Sequence, residues 1–92
     1  MTLEHMPLRG RAYMKFRAEM DRQGALHIQE RDLLLDAADA LLFDEPESLF
    51  RRAQAQALLE GLEAAGRRTP PETSRLRDAL DACAPPPPAL AA

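Results

Sequence analysis

Between Arg31 and Phe43 the chain reads Arg-Asp-Leu-Leu-Leu-Asp-Ala-Ala-Asp-Ala-Leu-Leu-Phe, and this stretch restricts the folds open to everything else. Wound at about 100° per residue, it sets Leu34, Ala38, Leu41 and Leu42 at the centre of an apolar face. Leu35 widens that face on one flank; Ala37, Leu33 and Ala40 widen it on the other. Only Asp32, Asp36 and Asp39 make a polar strip along the back, at i, i+4 and i+7. A helix apolar over so wide an arc must be covered from more than one side, so the stretch predicts a central helix packed among others.

The rest of the composition agrees. There is no Val and no Asn, a single Ile, and Ala and Leu dominate alongside Glu and Arg. Strands draw on β-branched and aromatic residues, and that supply is nearly missing; straight-chain helix formers replace it. The class is all-α: a small bundle of about four short helices over residues 8–84. A disordered N-terminal arm (1–7) and a Pro-rich C-terminal tail (85–92) are expected to flank it.

Residues 8–23 predict the first helix, with Tyr13, Phe16 and Met20 as its apolar side and Gly24 as its stop. The central helix begins between Leu26 and Glu30 and ends at Asp44. Pro46 suits the first turn of a third helix, capped by Asp44, that runs to Ala65. Its inner face carries Ala55, Leu58, Leu62 and Ala65, with Leu59 adjacent. Phe50, Ala57 and Gly61 run along the other edge, small enough in part to permit close helix approach. Thr69-Pro70-Pro71-Glu72 is the clearest start signal in the chain: a capping box with Pro at N1. The fourth helix follows to about Cys83, with Leu76, Ala79, Leu80 and Cys83 as its stripe, and Pro85–Pro88 form a stiff extended terminator.

Tyr13, Phe16, Phe43 and Phe50 are the only rings, so the core must be built from Leu and Ala. For a domain of 92 residues this leaves burial and ordering entropy nearly balanced, and association would relieve the deficit. The partner is therefore expected to be another protein or a second copy of the chain, a homodimer in the latter case. Leu33, Ala37 and Ala40, together with the Asp32, Asp36 and Asp39 stripe, are the expected contact residues.

Net charge is −3 but uneven: residues 1–24 balance at +2, residues 25–66 at −6 and residues 67–92 at +1. An acidic middle argues against nucleic acid, whose partners present a basic domain or face. Two versions of that alternative exist. Helix one could track phosphates through Arg9, Arg11, Tyr13, Lys15 and Arg17. Helices two and three could instead form a helix-turn-helix reading bases through Arg51, Arg52, Gln54 and Gln56.

His27 and Glu30 have the spacing of two metal ligands, but the only other imidazole is His5, so they more simply flank a helix start. Cys83 continues the Leu76–Leu80 stripe, the place of a packed thiol rather than a nucleophile. The chain holds no phosphate-binding loop and no nucleophile elbow, and the sequence points to no catalytic residue, metal or cofactor. A cytoplasmic interaction module with a regulatory or adaptor role is the expectation, with a nucleic-acid-binding regulator as the alternative.

Overall fold

A computed structural model describes residues 8–85, and the expected arm and all but the first residue of the expected tail lie outside them. Four helices follow one another: α1 (Leu8–Gln23), α2 (Ile28–Leu42), α3 (Ser48–Ala64) and α4 (Pro70–Asp81). Among the described residues all regular structure is helical, as the residue supply requires. Each helix packs on its neighbour in sequence and α4 closes on α1, which makes a ring of four. The α2–α3 pair is the most extensive of these contacts.

The core collects one stripe from each helix. Phe16 and Met20 come from α1, Leu34, Ala37, Ala38 and Leu41 from α2, Ala55, Leu59 and Leu62 from α3, and Leu76 and Leu80 from α4, with Cys83 just beyond. Their spacings of three and four residues are what a helix needs to keep one side inward. No helix among the described residues is long and apolar enough to cross a membrane.

Caps set the boundaries. At α4 the Thr69 hydroxyl accepts from the Glu72 N–H (3.4 Å) and the Glu72 carboxylate accepts from the Thr69 N–H (2.8 Å), the box expected from the sequence. The α2–α3 junction departs from expectation. Asp44 does not cap α3; it takes left-handed backbone (φ 52°) and closes α2. Its N–H donates to the Leu41 carbonyl and that of Glu45 to the Ala40 carbonyl, the paired bonds of a Schellman ending. Satisfying those orphan carbonyls uses the residues that would have begun α3, so α3 starts two residues after Pro46. Gly66 (φ 73°) ends α3 by the same device.

The α1–α2 turn places both Gly24 (φ 65°) and Ala25 (φ 57°) in the left-handed region. Glycine tolerates it; a Cβ there costs about 1–2 kcal/mol. Ala25→Gly should therefore stabilise the domain by about 0.5–1 kcal/mol after the gain in unfolded-state entropy is subtracted. Thermal melting would show this as a rise of several degrees, and a fall would contradict the strain.

Candidate interaction surface

The expected contact residues on α2 do not form one exposed surface. Ala37 and Ala40 are buried and Leu33 is packed against the core, so this flank faces inward. The other side of α2 is marked by α1: Asp21 pairs with Arg31 at 2.7 Å, and Asp39 faces the Tyr13 phenol. That leaves α3 to cover the Leu33–Ala37–Ala40 flank, where alanines let the two helices lie close and a five-residue link keeps them together. Asp32 and Asp36 are exposed, but Asp39 is half-buried and does not continue their surface. Loss of hydration raises the Tyr13 pKa, and the Asp39 charge raises it further.

Arg51, Arg52, Gln54 and Gln56 are not gathered either. At about 100° per residue they spread over roughly 200° of the α3 circumference. Arg51 pairs with Glu47 at the N-cap of its own helix, and Arg52 crosses to Asp81 of α4 at 2.9 Å. Arg9, proposed as a phosphate contact, is engaged in the fold: it donates to the Leu41 and Cys83 carbonyls and pairs with Asp44, which ties the ends of α2 and α4 to α1.

His27 and Glu30 do flank a helix start. The Glu30 carboxylate accepts from the His27 N–H at 2.8 Å and takes a two-pronged bond from Arg67 at 2.6 and 2.9 Å. Arg68 stands beside this clasp, buried, donating to the Gly24 and Arg67 carbonyls, so the α1–α2 and α3–α4 turns are held as one end. No group of three or more His, Cys, Asp or Glu among the described residues could hold a metal ion.

The Arg67 guanidinium, helped by the His27 N–H, pulls the Glu30 pKa down to about 2. A carboxyl depressed on folding stabilises above its ordinary pKa, and the contribution disappears as pH falls toward the folded value. Glu30→Gln should therefore cost about 1–2 kcal/mol near neutral pH, allowing for solvent screening of a partly exposed pair. The gap between wild type and variant should close as pH falls from about 4.5 to about 2; a gap independent of pH would remove the charge as its source. Cys83 is buried, and burial pushes its thiol up to about 11, so at neutral pH it is a packed thiol and not a thiolate.

Two shallow depressions of about 340 and 240 Å³ run along the α1–α4 seam, one including Ala18 and Arg22 and the other Ala12 and Ala82, with Lys15 and Ala79 in both. None of their lining residues is buried, so neither is a formed ligand cavity.

The unexplained surface lies at the α2–α3 corner. Phe43, Leu49 and Phe50 are 70, 74 and 64% exposed, half of the chain's rings among them. From this corner an apolar stripe continues along the outside of α3. Phe50, Ala53, Ala57, Gly61 and Ala64 are all exposed and fall within about 80° of arc, with no charged residue between them. A helix that buries one side normally carries charge on the other; α3 buries Ala55, Leu59 and Leu62 and leaves a second apolar face outside.

Gly61 sharpens the point. Even in the last turn of α3 it gives up part of the roughly 0.5–1 kcal/mol that Gly costs relative to Ala inside a helix, yet a Cβ there would meet no atom within 4 Å. Nothing in the monomer requires it. The Phe50, Ala57 and Gly61 edge was visible in the sequence but was expected to serve packing inside the bundle. The pattern along the chain puts Phe43 in the central helix and gives Leu49 no role. The signal that could have found them is large apolar residues on either side of the acidic Asp44-Glu45-Pro46-Glu47 turn, where solvent exposure is the rule. Comparison with protein-family models, with curated proteins and with solved structures gave no match.

Proposed function

We propose that this chain is a small helical protein-interaction module with a regulatory or adaptor role, and that it makes contact through the α2–α3 corner. The observation that carries this reading is the exposure of Phe43, Leu49 and Phe50, two of the chain's four aromatic rings among them. Large apolar side chains left in solvent cost solubility and mark contact sites on otherwise polar proteins. The single, buried, unpaired thiol of Cys83 suits work in a reducing compartment such as the cytoplasm.

A photo-crosslinking amino acid placed at Phe50 in the full chain, in living cells, should give a discrete adduct above the mass of the monomer. The same group at exposed Asp32, on α2, should not. No adduct from Phe50, or equal adducts from both positions, would overturn the assignment.

A further inference from the structure

We infer that the outer face of α3 pairs with the same face of a second copy, antiparallel and about a twofold axis at Ala57. This rests on the interaction reading above and names its partner. The face is uneven in a way that complements itself. Its N-terminal end projects Phe50 beside Leu49, and its C-terminal end is shallow at Gly61 and Ala64.

A parallel pairing would set ring against ring and leave the shallow ends apart. An antiparallel pairing about Ala57 lays Phe50 of each copy over Ala64 of the other, with Ala53 opposite Gly61. The same patch then serves both partners, as a closed twofold contact requires. Gly61 thereby acquires the role the monomer does not give it, since a missing side chain lets a facing helix approach. The uncharged stripe is about 21 Å long at 1.5 Å per residue, so it gives the pair four turns of contact with no like charges opposed.

The area suits a transient pair of copies. Phe50, 64% exposed, offers roughly 100–150 Å². With Leu49 at its margin and the small residues, the face reaches roughly 400–500 Å² per copy, about 800–1,000 Å² for the pair, in the range of weak, transient interfaces. The dimer should therefore be real and weak, with a dissociation constant on the order of 1–100 µM.

Sedimentation equilibrium of the full chain across that range should show monomer passing to dimer and no larger species. Gly61→Leu fills the shallow end without touching the monomer, and should weaken the dimer at least tenfold (about 1.4 kcal/mol) while leaving monomer melting unchanged or raised. Ala57→Cys, on the axis, should link two copies through a disulfide under mild oxidation, with buried Cys83 taking no part. A chain monomeric throughout overturns the inference, and a Phe50 adduct with a different protein would then leave the interaction reading standing. A dimer indifferent to Gly61→Leu, with Ala57→Cys unlinked, places the contact elsewhere and also overturns the pairing.

Discussion

Leu41→Asp should unfold the domain at neutral pH. Leu41 is 3% exposed on the wide face of α2, among Leu34, Ala37 and Ala38. Removing a buried leucine costs about 3–5 kcal/mol, and an unpaired carboxylate in its place adds several more. A domain of this size has about 5–14 kcal/mol in total. The local charge makes matters worse, because Asp39 and Asp44 lie on the same turns of chain. Far-UV circular dichroism should show helix lost at neutral pH and partly restored in acid, where the new carboxyl is neutral. Unchanged helicity and melting would mean that α2 is not covered on this side. Asp36→Leu supplies the contrast: the position is exposed, and the swap should move stability by no more than about 0.5 kcal/mol.

Phe16→Ala comes next in size, at about 3–5 kcal/mol. Phe16 is the one ring wholly withdrawn from solvent; Tyr13 is partly buried, and Phe43 and Phe50 lie outside the core. The rest of the core, chiefly leucines and alanines on four packed helices, can refill so large a cavity only in part. At about 4–8 °C per kcal/mol the melting temperature should fall by roughly 12–40 °C. The same change at Phe50 should leave monomer melting nearly unaltered at low protein concentration. If the two variants melt alike, the division of rings between core and surface is wrong.

The helices were legible in the sequence because their signals are local. The stripe of Tyr13, Phe16 and Met20, the Thr69–Glu72 box and the glycine stops at Gly24 and Gly66 each act within a turn or two of chain, and each stands where expected. Which side of α2 faces inward was not legible. Its apolar arc is nearly symmetric, and the choice between the Leu35 flank and the Ala37 flank depends on where α1 and α3 lie. The expected outer flank is thus the one α3 covers. The Glu30–Arg67 clasp and the Arg9 tie join residues 37 and 74 apart, beyond the reach of any pattern read along the chain. The apolar corner was hidden for a different reason. Pattern reading assigns phenylalanine to the interior, and only the fold shows that two of the three are left out.

The ring of four helices also sets an order of assembly. The α2–α3 pair is joined by residues 43–47 and closes a short loop, whereas the α1–α4 seam must bring together Arg9 and Cys83 across nearly the whole chain. Loop-closure entropy grows with the length enclosed, and it must be met before the distant contact contributes anything. Helices adjacent in the chain, all joined by four or five residues and with α2–α3 the most extensive pair, should therefore pair before the α1–α4 seam, which is the last contact made and the first released. Backbone amides along α1 should exchange with solvent water ahead of those in α2, through openings smaller than global unfolding.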